Sequence, residues 1–523
     1  MKELNIKDLT LEQKIGQLLC VRGFIDDEDE AFVMEMIKKK AVGAIQMGYF
    51  EGCREKIAEI NELAGYPILI CANMEYGYAG TKLKYPAQMA LSATNDPTLA
   101  YEAARVSAIE AKADGFNVMW APVVDLCSEG KLCKNTRTFS DDTDITTEFG
   151  CAVIKAYQDE GMIATAKHFP SPFDGKNDSH FVHNDSQHTE EELYTKNMVP
   201  YIEAIKRCGL TGIMTSHTVF EKIDPGVPAT FSKKILSMIR KAGFDGVIMS
   251  DSLAMMSVVR LYGDKDSIWM AIEAGNDMVL PNYRLTFKES FEYLLESYKQ
   301  GKFSEERLND AVQHVLNAQK FTLKKASSDH LTNEHINTIE ELNKCSLCFV
   351  GRGGFTAKID DNKKKLFVLF SENYYPYDDS INEELEAKEF YFYKNVLLHK
   401  EQILKEYPDA EVVIISDFPN HVQNEKVLVA AQKAEEIIFC TFCRPQSYQG
   451  SDGINERACY LINCFHEKTV SILHTGNPYE VQKFPVAKRI FLGHLGGDSL
   501  KYTLKAMKGE FTPSGKIPVK VTL

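Results

Sequence analysis

The first 320 residues alternate between short apolar runs rich in β-branched residues and longer stretches with helical spacing. In the longer stretches apolar residues recur three and four positions apart, which is typical of helices that cover a core. A strand followed by a helix, repeated along the chain, predicts parallel strands with covering helices. The seven clear strand-like runs are residues 43–47, 67–74, 117–125, 165–170, 212–217, 246–251 and 277–280.

Seven strands are close to the eight of a closed barrel, so the fold class we predict is α/β, with a (β/α)8-type TIM barrel over residues 1–323. An open doubly wound sheet is the alternative, but a sheet of this many strands favours closure. A charged segment, 324–337, is predicted to be a linker. A C-terminal α/β sandwich domain with a mostly parallel sheet is predicted over 338–523. Its predicted strands are 345–350, 365–370, 389–393, 411–416, 436–442, 469–474 and 489–492.

The net charge of −14 argues against nucleic acid or an anionic membrane as the main partner, because both need a basic surface. The first residues contain no apolar signal core, and no run approaches the length of a membrane span, so we expect a cytoplasmic protein. Most of the thirteen cysteines are then expected to be free thiols. We expect no metal and no cofactor.

Polar side chains cluster where the predicted strands end. In a barrel the C-terminal strand ends line one face, and that face carries the chemistry. Strands also end in polar loops for no functional reason, but that does not explain so many ionisable groups at one end. The residues concerned are Asn73 and Glu75, Asp125, Lys167 and His168, Ser216 and His217, and Ser250 and Asp251.

Two of these features suggest catalysis. Asp251 ends a strand and is placed to act as a nucleophile, although a lone Asp in this position is also typical of a helix N-cap. Eight residues after Pro170 comes the run Asp178-Ser179-His180, in a loop rich in Gly, Pro, Asn and Asp. Asp178 and His180 lie on the same side of an extended segment, so the carboxylate can orient the imidazole and stabilise its protonated form. Metal binding is the alternative, because four histidines lie between residues 168 and 188. His183 and His188 are further from the motif and are interpreted as bystanders.

The order of these motifs resembles family 3 glycoside hydrolases, in particular the branch of β-N-acetylglucosaminidases that uses a histidine–aspartate dyad. The similarity covers nearly the whole chain. The matching motifs are Lys167-His168-Phe169-Pro170, Asp178-Ser179-His180, Ser250-Asp251-Ser252-Leu253-Ala254-Met255, Ala121-Pro122-Val123-Val124-Asp125, Arg137-Thr138-Phe139, Gly275-Asn276-Asp277-Met278 and Pro513-Ser514-Gly515-Lys516-Ile517-Pro518.

The resemblance implies a role for each site residue. Asp251 would form a covalent glycosyl-enzyme, His180 would be the acid/base and Asp178 its partner. A salt bridge to Asp141 or Asp142 is the alternative role for Arg137. The residues that would bind sugar hydroxyls are Lys167, His168, Arg137, Asn73 and Asp125.

Two departures from the family pattern leave the exact sugar open. Asn73 stands where the family has Asp, and Ser171-Pro172-Phe173 replaces Gly-His-Gly. The leading hypothesis is a retaining, exo-acting β-N-acetylglucosaminidase that acts on a small carbohydrate. A β-glucosidase or glycoside phosphorylase of the same family, and a sugar-binding protein with weakened catalysis, are alternatives. A metal-dependent barrel hydrolase is a further one; its ligands would be His168, Asp178, His180 and His217.

Overall fold

The computed structural model describes residues 1–129, 135–171, 177–328, 330–371, 391–444, 447–448 and 453–522. By its internal contacts the chain forms two compact units. The first comprises Met1–Leu83 and Asp96–Ile339, and the second comprises Lys84–Asn95 and Glu340–Leu523. The linker predicted at 324–337 remains a prediction, and a helix at Asn333–Cys345 begins inside it.

The first unit contains one sheet of eight parallel strands whose spatial order follows the chain. Leu19 and Val279 form a parallel bridge, and the Val279 amide donates to the Leu18 carbonyl at 2.9 Å, which joins the last strand to the first. The predicted TIM barrel is thereby confirmed. The strands are β1 Cys20–Val21, β2 Ala44–Gln46, β3 Leu69–Ala72, β4 Val118–Met119, β5 Ile163–Phe169, β6 Gly212–Thr215, β7 Val247–Ser252 and β8 Met278–Leu280.

Helices follow most of the barrel strands, and side-chain caps begin many of them. Thr286 and Glu289, for example, form a reciprocal capping box. The α-helices are Leu11–Gln17, Asp27–Lys38, Cys53–Ala64, Pro97–Ala113, Thr143–Asp159, Glu190–Glu192, Val199–Cys208, Lys233–Lys241, Met256–Tyr262, Asp266–Ala274, Phe287–Lys299 and Glu305–Phe321. Short elements are the 3-10 turns Ile6–Asp8, Asn135–Arg137 and Ala229–Phe231, the π-turn Leu193–Asn197, and the paired strands Asp185–Ser186 and Val219–Phe220.

Alternate side chains of the barrel strands fill a common apolar core. Leu69 and Cys71 of β3, Val247 and Met249 of β7, and Trp120 after β4 all belong to it and are nearly inaccessible to solvent. Because this core packs the interior, ligand chemistry is confined to the strand ends. None of the helices in the described ranges combines the length and the apolar character that a membrane crossing needs.

The second unit contains six further strands: β9 Cys348–Gly351, β10 Lys365–Ser371, β11 Glu411–Ser416, β12 Glu436–Phe442, β13 Thr469–Thr475 and β14 Arg489–Gly493. They form one sheet in the order β9-β14-β13-β12-β10-β11, in which β9 alone runs antiparallel to its neighbour. Alternate residues of β10 pack into two separate apolar clusters, as expected for a sheet covered on both faces. The predicted α/β sandwich is thus confirmed.

Two strand predictions in this unit need correction. Residues 389 and 390 lie outside the described residues, but the chain is helical from Tyr391, so the strand predicted there is wrong beyond that point. A short aromatic run does not distinguish a strand from a helix. Cys345 ends a helix, and the strand begins only at Cys348. The helices are Met89–Ala93, Tyr391–Glu406, His421–Lys433, Glu456–Asn463 and Ser499–Lys508, with a 3-10 turn at Pro478–Lys483.

Candidate active site

A buried ion-pair network joins the ends of β3 and β5. Lys167 of β5 is only 1% exposed, and its Nζ lies 2.7 Å from Glu75 Oε1. The same Nζ donates to Asn73 Oδ1 at 3.2 Å. Arg137, in the turn Asn135–Arg137, brings its Nη2 to within 2.5 Å of the same Glu75 oxygen. One carboxylate is therefore shared by two cations.

The opposite charges in this network stabilise each other against the cost of burial. Burial by itself would raise the pKa of Glu75, but Lys167 and Arg137 outweigh it and hold that pKa well below its usual range. Burial lowers the pKa of Lys167, and the attraction of Glu75 offsets only part of that effect. Burial also acts to lower the pKa of Arg137, but Glu75 outweighs it and raises that pKa.

A second buried pair forms where β5 faces the chain after β4. Asp125 accepts a hydrogen bond from the His168 backbone N–H at 2.9 Å, and its other oxygen lies 2.8 Å from His168 Nδ1. Because a carboxylate only accepts, this contact places a proton on Nδ1. The opposite ring atom, Nε2, lies 3.9 Å from Oδ2 of Asp251.

Asp251 lies near the end of β7 among three cations. Its side chain is 24% exposed, and its Oδ1 accepts from the Ser252 amide at 2.7 Å. Arg22, which follows β1, donates through Nη1 to Ser252 Oγ at 2.9 Å and to the Pro281 carbonyl at 3.3 Å. Arg22, Lys167 and Arg137 each interact favourably with the Asp251 charge, so the arrangement favours its ionised form.

Asp178 and His180 form a pair of their own in the loop after β5. One oxygen of the buried Asp178 accepts from the His180 backbone N–H at 2.9 Å and contacts His180 Nδ1 at 2.6 Å. The ring is thus held in one orientation with its Nδ1 proton directed at the carboxylate.

The loop that carries this pair is bound to the segment after Asp251. The Met256 amide donates to the His180 carbonyl at 2.9 Å, and Ser257 Oγ donates to the Ser179 carbonyl at 2.7 Å. The pair is therefore fixed to the chain that leaves β7. The departures at Pro172 and Phe173 lie outside the described residues.

Comparison with known proteins identifies the family of the chain. Residues 10–318, more than half of the chain, match the family model described as the glycosyl hydrolase family 3 N terminal domain. The chain belongs to glycosyl hydrolase family 3. The resemblance drawn from the motifs is thereby confirmed at the level of the family.

Several family 3 proteins are similar to this chain. A protein of Cellulomonas fimi named beta-N-acetylglucosaminidase/beta-glucosidase is 28% identical over 323 residues, which span 58% of this chain and 56% of that protein. A beta-hexosaminidase of Xanthomonas oryzae pv. oryzae is 32% identical over 245 residues, or 44% of this chain and 72% of the other. The aligned region thus spans little more than half of the Cellulomonas protein.

Solved structures share the fold over almost the whole chain. A family 3 beta-N-acetylglucosaminidase from a Paenibacillus species has a TM-score of 0.80 at 23% identity, with 98% of this chain and 99% of that chain covered. A beta-glucoside phosphorylase has a TM-score of 0.82 at 20% identity, with coverages of 98% and 94%.

The contacts of Arg137 and His217 bear on two alternative roles that the sequence left open for them. Arg137 pairs with Glu75. Asp142, one of the two partners considered for Arg137, caps the helix Thr143–Asp159. His217 is one of the four residues of the metal hypothesis, but both of its ring nitrogens have hydrogen-bond partners in the protein. Nδ1 lies 2.9 Å from Thr230 Oγ1, and Nε2 lies 3.1 Å from the Ser252 carbonyl.

A shared metal site would need ligand atoms that converge. Within the described ranges, the one set of three groups close enough to share a cation is Asp277, Asp310 and His314. None of the four residues of the metal hypothesis belongs to it. Among the described residues, the four ligands of the metal hypothesis are therefore not arranged to share one ion.

Two residues of the site have a weak signal in the sequence or none. Glu75 was noted only as a polar group after a strand; the signal available was that Lys167 and Arg137 need a counter-charge once buried. Arg22 was not noted at all, because β1 has only two residues and leaves no periodicity to detect.

Proposed function

We propose that this protein is a retaining, exo-acting β-glycosidase, and more specifically a β-N-acetylglucosaminidase. The observation that carries the proposal is the position of Asp251, a partly exposed carboxylate among Arg22, Lys167 and Arg137. The chain that follows its strand binds the loop that carries Asp178 and His180. The names of the Cellulomonas and Xanthomonas relatives support the sugar class.

The proposed reaction assigns one step each to Asp251, His180 and Asp178. Asp251 attacks the anomeric carbon and forms a covalent ester while the bond to the leaving oxygen breaks. His180 donates a proton to that oxygen, and Asp178 stabilises the imidazole that carries it. His180 then takes a proton from water, the water attacks the anomeric carbon, and Asp251 is released as a carboxylate.

The remaining site residues are proposed to bind the sugar. Lys167 and Arg137 are held by Glu75, so their remaining N–H groups are oriented donors for hydroxyl oxygens. Asn73 Oδ1 accepts from Lys167, which leaves its amide N–H groups for a hydroxyl. His168 is oriented by Asp125 between this network and Asp251.

Replacement of the nucleophile tests the proposal directly. Asp251→Ala should lower release of nitrophenol from p-nitrophenyl β-N-acetylglucosaminide by at least about 10³-fold, because the covalent step is lost. The control is Asp245→Ala, whose side chain is 94% exposed ahead of the same strand and which should retain wild-type activity. Wild-type rates in Asp251→Ala would overturn the assignment.

The acid role of His180 can be separated from binding by a change to its partner. Asp178→Asn preserves the shape of the side chain but no longer stabilises the protonated imidazole, so kcat should fall by about 10²–10⁴-fold on a substrate with a poor leaving group. A dinitrophenyl glycoside needs little protonation and should lose much less. Equal losses on both substrates would argue against the acid role.

Phosphorolysis is a second candidate, favoured by the use of His180 as the acid/base. A neutral imidazole repels an incoming phosphate less than a carboxylate would. Formation of a sugar 1-phosphate in phosphate buffer would establish it. Sugar binding without turnover, measured by calorimetry, would instead support the weakened binding protein suggested by Asn73.

The cellular location of the protein and the roles of its two units are proposals as well. We propose that the protein acts in the cytoplasm on a small carbohydrate, although a Salmonella typhimurium relative is named a periplasmic beta-glucosidase. Cell fractionation decides between the two compartments. The barrel is proposed to carry the chemistry and the second unit to give structural support.

A further inference from the structure

Two thiols lie against each other on neighbouring helices of the first unit. Cys151 lies within the helix Thr143–Asp159, and Cys208 is the last residue of the helix Val199–Cys208. The Cys208 thiol donates to the Cys151 carbonyl oxygen at 3.5 Å, and the two side chains also share a hydrogen bond. Both thiols are free in this structure, but thiols in direct contact are placed to form a disulfide without a large movement of the backbone.

Contacts on either side of Cys208 hold the end of its helix against the other helix. Arg207 Nη1 and Nη2 donate to the two carboxylate oxygens of Glu148 at 2.5 and 2.9 Å. Gln158 Nε2 donates to the carbonyl oxygen of Cys208 at 2.8 Å. Glu148 and Gln158 both belong to the helix that carries Cys151, so the two thiols are held near each other by contacts other than their own.

The two thiols differ in access and in the charges around them. Cys208 is partly exposed, whereas Cys151 is only 4% exposed. The hydrogen bond from the Cys151 thiol lowers the pKa of Cys208, and burial acts against it. The positive charges of Arg207 and Lys155 lower that pKa further, and the charge of Asp159 opposes them. The same hydrogen bond raises the pKa of Cys151, so Cys208 is the thiol suited to react first, since the thiolate is the reactive form.

A second cysteine pair shows what distinguishes this one. Cys20 of β1 and Cys71 of β3 also share a hydrogen bond, but both lie in the apolar core of the barrel and are at most 1% exposed. Burial raises the pKa of Cys71 well above its usual range. Of these two pairs, only the one at Cys208 combines contact between thiols with access for an oxidant in solution.

We propose that Cys208 and Cys151 form a site of reversible oxidation by a peroxide, with a disulfide as the product. The Cys208 thiolate attacks one oxygen of hydrogen peroxide; an S–O bond forms, the O–O bond breaks, and the hydroxide that leaves takes up the proton lost from Cys208. Cys151 then attacks the sulfur of this sulfenic acid; the S–S bond forms, the S–O bond breaks, and the second hydroxide takes up the Cys151 proton.

The reaction is balanced and can be reversed. Two thiols and one peroxide give one disulfide and two water molecules. Two molecules of a small thiol restore both cysteines by exchange and are themselves joined by a disulfide. The proposal does not depend on the glycosidase assignment, because neither Cys151 nor Cys208 takes part in the proposed chemistry.

The disulfide would close a loop that contains much of the candidate site. Residues 151–208 include β5, with Lys167 and His168, and the pair formed by Asp178 and His180. A disulfide restricts the unfolded chain more strongly when the loop that it closes is long. We therefore expect oxidation to stabilise the barrel against unfolding.

Peptide mapping of the full chain tests the proposal. The protein is treated with a small molar excess of hydrogen peroxide, the remaining thiols are alkylated in denaturant, and the digest is analysed by mass spectrometry without reduction. We expect a cross-linked pair of peptides that carry Cys151 and Cys208, and dithiothreitol should separate them. Cys20 and Cys71 should be recovered as alkylated thiols.

Variants distinguish the roles of the two thiols. In Cys151→Ser, Cys208 should stop at the sulfenic acid, which dimedone traps; in Cys208→Ser, Cys151 should remain a thiol. Cys464→Ser, at an exposed cysteine of the second unit, is the matched control and should form the disulfide as the wild type does. In the wild type, oxidation should raise the midpoint of thermal unfolding by about 5 °C, dithiothreitol should reverse that shift, and Cys208→Ser should not show it.

The map of the wild-type protein decides the proposal even if a variant fails to fold. Recovery of Cys208 as a free thiol, or joined to a cysteine other than Cys151, would overturn it. A disulfide between Cys20 and Cys71 that forms as fast as the proposed one would also overturn it, because access would then not matter. Loss of the disulfide in Cys464→Ser would assign the reaction to exchange with an exposed thiol and would contradict direct oxidation of Cys208.

Discussion

Glu75 is the residue on which the buried charges of the site depend. It is nearly inaccessible to solvent, and one of its oxygens contacts both Lys167 and Arg137. Removal of one member of a buried ion pair is far more harmful than the pair is helpful, because the remaining charges lose their compensation. Glu75 therefore stabilises the fold and orients two proposed sugar ligands at once.

Glu75→Gln should lower the free energy of unfolding by about 3–5 kcal/mol, because the buried Lys167 and the partly exposed Arg137 lose their shared counter-charge. Urea unfolding followed by tryptophan fluorescence measures the loss. Glu51→Gln, at an exposed position, is the control and should change the free energy by less than about 0.5 kcal/mol. A loss below about 1 kcal/mol in Glu75→Gln would contradict the role of Glu75.

The contribution of Glu75 to the stability of the fold should depend on pH in a definite direction. The pKa of Glu75 is depressed in the folded protein, so its contribution to stability is complete above the unfolded pKa of about 4.3 and is lost as pH falls below it. Glu75→Gln should lack this part of the acid destabilisation seen in the wild type.

At the scale of elements, strands β13 and β14 place two neutral histidines inside the second unit. In β13, His474 Nδ1 lies 3.0 Å from Thr441 Oγ1, and its Nε2 lies 3.0 Å from the Asn477 carbonyl. His494 follows β14, with its Nε2 3.2 Å from the Ser346 carbonyl. Burial lowers the pKa of His474 to about 3 and that of His494 to about 4.

These histidines should make the second unit sensitive to mild acid. Both are neutral in either state above the unfolded pKa of about 6.5; below it the unfolded chain binds protons that the folded unit does not. Stability should therefore fall by about 1.4 kcal/mol per pH unit for each histidine, from about pH 6.5 towards the folded pKa values. Circular dichroism during urea unfolding at several pH values measures the slope.

His474→Gln should remove about 1.4 kcal/mol per pH unit from that slope, whereas His466→Gln, an exposed histidine in the same unit, should leave it unchanged. An unaltered slope in His474→Gln would show that other groups cause the acid sensitivity.

At the scale of the molecule, the two units have separate apolar cores. Both tryptophans of the chain, Trp120 and Trp269, belong to the first unit. Tryptophan fluorescence therefore reports on the barrel alone, while circular dichroism reports on both units.

We expect urea to unfold the chain in two transitions, of which fluorescence follows one. N-acetylglucosamine at about 100 times its dissociation constant should stabilise that transition by roughly 2.7 kcal/mol and leave the other unchanged, because the proposed ligands all lie in the barrel. A single transition with both probes, shifted as a whole by the sugar, would show that the units unfold together.

The chain order of short strands and helices was enough to predict the barrel, because strand and helix periodicities are local properties of the backbone. It was not enough for β1, since two residues contain no period. Nor did it predict that Lys84–Asn95 belongs with the second unit, because that grouping depends on contacts such as the Ala87 amide with the Leu495 carbonyl.

The candidate site likewise combines features that the sequence predicts with features that depend on the fold. Motif spacing along the chain was enough to identify Asp251, His180 and Asp178 as candidates. The fold was needed to reveal that Glu75 contacts both Lys167 and Arg137, and that Arg22 donates to Ser252, 230 positions away. Those contacts arise from the parallel register of the barrel strands, which brings distant strand ends to one face, and no local pattern encodes which charges will meet there.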